Sequence, residues 1–165
     1  MLTLSIPRPK RRQLMPSIYA AGKTWHAAIF RQLRDLLGYN IIARWIELDP
    51  ESDFVANEKG KLWAQCLEDA TTADITIVYC GNPNEEQRGA LVEIGHALAA
   101  GKFVYLINSC KTFEANDGSD VAFTHHPRFV RIKTEKSVAA RIGYRLAIRD
   151  WQQRQASEGL GAKAG

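Results

Sequence analysis

The feature that most constrains this chain is a pair of short apolar runs with a helical stretch between them. Residues 74–80 (DITIVYC) and 102–107 (KFVYLI) are apolar at nearly every position rather than at every second one. Strands covered on both faces read this way, and they belong to parallel sheets flanked by helices. Parallel neighbours also need a crossover. The turn Gly81-Asn82-Pro83-Asn84 opens one, a helical pattern continues to Ala100, and Gly101 stands where a left-handed cap would end it.

The rest of the chain repeats this alternation. Residues 17–21 read as a first strand, and about 25–37 as a helix with Ile29, Leu33, Leu36 and Leu37 at helical spacing, ended by Gly38. Residues 40–46 alternate as a second strand, and 48–60 form a polar, acidic, Pro-containing loop. A helix over 62–73 carries Leu62, Trp63, Cys66, Leu67 and Ala70 on its apolar side. After an irregular segment at 109–120 come a short strand at 129–132 and a helix over 135–153 with Val138, Ile142, Leu146 and Ile148 inward. This order predicts an α/β fold, a three-layer flavodoxin- or Rossmann-like doubly wound sheet of about five mainly parallel strands. Ligands of such sheets bind beyond the carboxyl ends of the strands, here residues 21–23, 45–47, 79–82 and 107–108.

A chain of 165 residues suits one domain, expected over 15–153. Residues 1–14 contain Arg8, Lys10, Arg11 and Arg12 and no acid, so they carry the whole net charge of +4. They read as a flexible basic arm, with Met15 an alternative start, and residues 154–165 read as a disordered tail. A nucleic-acid partner is expected only through that arm, and four charges give it little affinity at physiological salt. The apolar runs fall far short of the roughly 20 residues a spanning helix needs, and the arm lacks the apolar stretch of a secretory signal. Cys66, Cys80 and Cys110 share no metal-ligand spacing. The expectation is therefore a soluble protein of a reducing cytoplasm with no membrane partner.

Within the helix that Gly101 ends, the wheel buries Ala90, Leu91, Ile94, Ala97 and Leu98, turns Val92 and His96 outward, and leaves Glu93 at the edge of the stripe. Its turn neighbours Gly89, Ala90 and Ala97 are all small, which leaves room against the carboxylate. A position one or two turns into a helix that follows a strand also places it near the ligand crevice and the positive end of the helix dipole. A nucleophile and a surface glutamate in a good helix former fit this pattern equally well. Gly89 reads either as close approach to a ligand or as close helix–sheet packing.

Tyr19-Ala20-Ala21-Gly22, then Ala73-Asp74-Ile75, then the stretch from Gly89 through Glu93-Ile94-Gly95 to Gly101-Lys102 together resemble the nucleoside 2-deoxyribosyltransferase family, over roughly residues 17–108. The resemblance implies cleavage of an N-glycosidic bond in a nucleoside or nucleotide, by hydrolysis or 2-deoxyribosyl transfer. Glu93 matches the glutamate of the family's glycine–x–x–x–glutamate–(leucine or isoleucine)–glycine motif, which attacks the anomeric carbon. Tyr19 matches the opening tyrosine that helps to position it. A homo-oligomer, dimer or larger, whose subunits complete one another's pockets is also implied. The chain departs from the family at two places: Cys66 stands eight residues before Asp74, and Gln87 with Arg88 about six before Glu93, where the family has acids that hold and protonate the base. Glu47, Asp49, Asp69 and Glu86 are candidate replacements, and the departures point away from transfer between free nucleosides.

Arg88, with the backbone N–H groups at Gly89, could hold a phosphate or carboxylate at the helix start. Gly22, Lys23 and His26 follow the first strand, and together these residues tilt the reading towards a nucleotide. Lys23 and His26 serve equally as an exposed first helical turn. Trp45 could stack on a base or plug the core, and Trp63 reads as core. Glu47, Asn82, Asn108 and His126 complete the candidate binding set. The pattern Lys23-(x2)-His26, Trp45-Ile46-Glu47, Trp63-(x2)-Cys66 and His125-His126-Pro127 looks like a divergent bacterial and phage branch of the same superfamily. His125-His126 lacks a third ligand at zinc spacing, so no metal and no cofactor are expected. Two other classes stay open: a non-catalytic module that binds a nucleotide or an ADP-ribose-like signal, and a TIR-like NAD-cleaving enzyme, whose motifs are not evident.

Overall fold

Ile18–Ala21 (β1) is buried along its whole length and pairs in parallel with Ile75–Tyr79 (β2). Phe103–Ile107 (β3) pairs with β2, and Phe129–Ile132 (β4) with β3, also in parallel. These strands form one four-stranded sheet in the order β1-β2-β3-β4 in a computed structural model that describes residues 14–49, 51–115, 120–135 and 139–161. The helices are α1 (Ala27–Leu37), α2 (Asp53–Asn57), α3 (Lys59–Thr72), α4 (Arg88–Ala99) and α5 (Ala139–Gly161).

Register decides which face each side chain enters. Tyr19, Thr76 and Val104 are aligned across the sheet and point to one face, while Ala20, Ile77 and Tyr105 point to the other. Tyr19 reaches α4 through Glu93, and Tyr105 reaches α5 through Asp150, whose Oδ2 accepts from the Tyr105 hydroxyl at 2.9 Å. So α3 and α4 cover one face, and α5, with α1 through Phe30 against Tyr79, covers the other. This is the Rossmann-like α/β arrangement expected from the apolar runs. Gly38 and Gly101 end α1 and α4 in the left-handed conformation, at φ 71° and 72°, which glycine adopts without a Cβ penalty.

The strand expected at 40–46 shrinks to a single bridge. Ile18 donates to the Asn40 carbonyl and accepts from Ile42 N–H, so only Ile41 pairs, on the outer edge of β1. Beyond it Asp69 draws the chain away, accepting from Arg44 N–H and Nε at 2.9 Å each, and Arg44–Glu47 coil into a 3-10 turn. The expected loop 48–60 contains α2, capped by the Ser52 hydroxyl, and the start of α3. On α1 the residues packed inward are Ala27, Phe30 and Leu33, whereas Leu36 and Leu37 are exposed.

The last helix keeps its place but changes phase. Ala139, Gly143, Tyr144, Ala147 and Ile148 face the sheet, leaving Ile142 and Leu146 38% and 39% exposed; Val138 lies outside the described residues. Gly143 sets this phase, since a Cβ there would come within 2.5 Å of Ile107 Cδ1, a buried β3 side chain. Gly143→Ala is expected to destabilise the fold by about 1–3 kcal/mol through overpacking, read from the urea midpoint. The helix also continues to Gly161, so the tail expected to be disordered from 154 is ordered up to there; residues 162–165 and the basic arm 1–13 lie outside the described residues. Among the described residues no helix is long and apolar enough to cross a membrane.

Candidate active site

Tyr19 and Glu93 come from elements that adjoin in space but not in sequence. Tyr19 stands on β1 facing α3 and α4, and Glu93 lies in the second turn of α4, on the side that packs on the sheet. The Tyr19 hydroxyl donates to Glu93 Oε1 at 2.6 Å, and Glu93 is only 8% exposed. Burial raises the Glu93 carboxyl from its ordinary 4.5 to about 7, against the opposing pull of the Tyr19 hydrogen bond. Burial and the adjacent carboxylate hold the Tyr19 proton far more tightly than usual, so Tyr19 is a fixed donor and not a base. Cys66 on α3 adjoins the pair, its thiol pushed up to about 11 chiefly by burial.

The small residues around Glu93 make room for α3. A Cβ on Gly89 would lie 2.9 Å from Cη2 of Trp63, so glycine is what lets the indole reach α4 one turn before the carboxylate. Trp63 itself, expected in the core, is 41% exposed.

A second buried cluster lies at the sheet's switch point. With the single Ile41 bridge on one side of β1 and β2 on the other, the chain leaves β1 in both directions, the position at whose carboxyl end sheets of this kind bind ligands. There Glu85 Oε1 meets His26 Nε2 at 3.1 Å, and Glu85 Oε2 accepts from Gly81 N–H at 2.9 Å and Gln87 Nε2 at 3.0 Å. Gln87 Nε2 also donates to the Tyr79 carbonyl at 2.7 Å. His26 Nδ1 accepts from Lys23 N–H at 3.3 Å, which leaves Nε2 as the donor to Glu85. Burial lowers the His26 pKa, partly offset by Glu85. Gly22 and Gly81 are small because the imidazole lies between them, within 3.1 and 2.8 Å of where their Cβ atoms would be.

Glu85 was not legible as a site residue; its only signal is an acid in the turn after a strand, and burial alone separates it from Glu86, which is exposed and pairs with Arg88 and Lys111. Gln87 lies within the Glu85 network. Asp69 holds Arg44 on the far side of α3, and Asp74 accepts from Ser17, so both are structural ties.

The other candidates are scattered. Trp45 plugs the edge of β1, its Nε1 donating to the Ala20 carbonyl at 2.8 Å, and with Thr24, Ala27, Leu48, Val55 and Leu62 it lines a small cavity of about 50 Å³. Glu47 pairs with Arg34, Asn82 donates weakly to Glu85, and Lys23 lies over the Trp25 ring at 5.4 Å. Arg88 extends into solvent, its side chain 86% exposed and paired with Glu86. Asn108 ends β3 at φ 61°, and its Oδ1 accepts from Thr134 N–H at 2.9 Å. His126 is exposed at the amino end of β4, the opposite end of the sheet from the crevice, where its Nδ1 accepts from Arg128 N–H. Among the described residues no three His, Cys, Asp or Glu side chains are placed to hold a metal. No protein-family model and no curated protein sequence matches the chain.

Proposed function

We propose that the protein cleaves the N-glycosidic bond of a nucleoside or nucleotide, with Glu93 as nucleophile and Tyr19 as the hydrogen-bond donor that orients it. The observation that carries this reading is the buried 2.6 Å contact between Tyr19 and Glu93 on a carboxyl that titrates near neutrality. A desolvated carboxylate is strongly attracted to a developing oxocarbenium ion, because nothing screens the pair. Glu93 Oε2 attacks the anomeric carbon from the face opposite the base, and the carbon–nitrogen bond breaks with its electron pair leaving on the base; water or a second base then enters on the face the first base left, expelling the Glu93 carboxylate and giving its proton to the departed base. Lys23, without a carboxylate partner among the described residues, supports a phosphate-bearing substrate at the β1 end of the crevice. A homo-oligomer whose subunits complete one another's pockets belongs to the same reading.

Among the described residues no second acid stands beside Tyr19 and Glu93, where Cys66 lies instead, which favours one other reading: a module that binds the nucleotide without turning it over. The test is incubation with 2′-deoxynucleosides, their monophosphates and NAD, scored for released base. Release is expected from the wild type, to vanish in Glu93→Ala and Glu93→Gln, and to fall about tenfold per pH unit below about 7 as the carboxylate is protonated. Release that persists undiminished in both variants excludes Glu93 as the nucleophile. Binding without release selects the binding module.

A further inference from the structure

The sequence pattern of α3 assigns Trp63 to the core, yet its side chain stays 41% exposed. Its ring end is not loosely placed: a Cβ on Gly89 would lie 2.9 Å from Cη2 and 3.4 Å from Cζ2, so the indole occupies a notch that only glycine leaves open. Gly89 precedes Glu93 by one helical turn, about 6 Å along the axis. Cys66, three residues after Trp63 and on the same side of α3, adjoins Tyr19. The indole therefore stands over the rim of the buried Tyr19–Glu93 pair. Among the described residues Trp25 and Trp45 meet the rings of His26 and Phe30 edge-on, whereas Trp63 and Trp151 have no ring partner, and of these two Trp151 packs against the core. A large flat ring, anchored at one edge and partly open, one helical turn from a candidate nucleophile, has the form of a stacking platform.

We infer that Trp63 is the stacking residue of the Glu93 site and that the ligand group it holds is a flat nitrogen heterocycle attached to the anomeric carbon. The inference rests on the glycosidic reading of Glu93 for where the ring is placed, and it explains why position 89 is glycine. Trp63 acts on binding, while Glu93 acts on the chemistry.

The two are separable by measuring affinity in the Glu93→Gln protein, which cannot turn over. Calorimetry with 2′-deoxyadenosine, 2′-deoxycytidine, free adenine and 2-deoxyribose is expected to show the first three bound. Their Kd values should rise about 5- to 150-fold on adding Trp63→Ala, the range for one lost base–aromatic stack. Trp63→Phe should recover most of this loss, and Gly89→Ala, which displaces the indole without removing it, should weaken binding in the same direction. Affinity for 2-deoxyribose should not respond to position 63. Kd values for the heterocycles that stay within threefold in Trp63→Ala, or that tighten, overturn the inference, as does no measurable binding of any heterocycle. Heterocycle binding that depends on Trp63, in a wild-type protein that releases no base, would refute Glu93 as nucleophile and leave the stacking role standing.

Discussion

At pH 8 the Glu93→Gln protein is expected to be more stable than the wild type, by about 3 kcal/mol, and to release no base. The folded protein holds the Glu93 proton up to about pH 7, whereas the unfolded chain gives it up near 4.5. A shift of that size corresponds to about 3 kcal/mol at about 1.36 kcal/mol per unit. Between the two values the folded state binds more protons, so wild-type stability falls as pH rises through this window and stays low above it. Glutamine has no proton to lose, and its carbonyl oxygen can still accept from Tyr19. The two proteins should therefore diverge between pH 5 and pH 8, with the gap nearly closed at the acid end. His26 contributes an opposing effect common to both proteins, because burial depresses its pKa and below about 6.5 the unfolded chain takes up that proton first, so it cancels in the comparison. Urea unfolding of both proteins at pH 5 and pH 8 reads this directly. Equal stabilities at pH 8 would mean that the carboxylate is not desolvated as the structure has it. A residue kept at a stability cost is what a functional carboxylate looks like.

The parts of the fold that could be read from the sequence are those fixed by local pattern. The apolar runs of β2 and β3 and the capping Gly101 needed no tertiary information, and the wheel of α4 placed Ala90, Ile94, Ala97, Val92 and His96 correctly. Errors came where a distant group overrode the pattern. Asp69, twenty-five residues away, turns Arg44 out of the expected strand, and the close seat of Gly143 on Ile107 rotates α5 away from Ile142 and Leu146. Trp63 reads as core because its spacing is right, but only its ring end is covered, in the notch Gly89 leaves, and the residue stays half-exposed. For the candidate site, pattern singled out Glu93 and the resemblance paired it with Tyr19. Of the Glu85–His26–Gln87 cluster His26 was singled out and Glu85 was not, since a turn with Glu85 and Glu86 side by side does not say which of them folds inward.

That ambiguity gives the second large effect. Glu85→Ala is expected to destabilise the protein by about 3 kcal/mol or more, because each of the buried donors it leaves without an acceptor costs about 1–3 kcal/mol. Glu86→Ala next to it should change stability by no more than about 0.5 kcal/mol, since its pairs with Arg88 and Lys111 are solvent-exposed. The contrast follows from what each loss leaves behind. Without Glu85, His26 Nε2 keeps a buried N–H with no acceptor, Gly81 N–H loses its partner, and the Gln87 amide is left with the Tyr79 carbonyl and a weak contact to Cys80 Sγ. Glu85→Gln preserves shape and one accepting oxygen, so its loss should be smaller than that of Glu85→Ala. The double variant with His26→Ala should cost less than the sum of the single losses, by about 1 kcal/mol or more, because the two side chains are in direct contact. Function should follow stability here. The cluster ties the loop after β1 to the loop that launches α4, and α4 carries Glu93; a loosened launch point moves the carboxylate relative to Tyr19. Base release in Glu85→Gln, measured well below its melting temperature, is expected to fall while Glu86→Ala retains wild-type rates. Equal stabilities for the Glu85 and Glu86 alanine variants would place Glu85 in solvent and remove the network from the site.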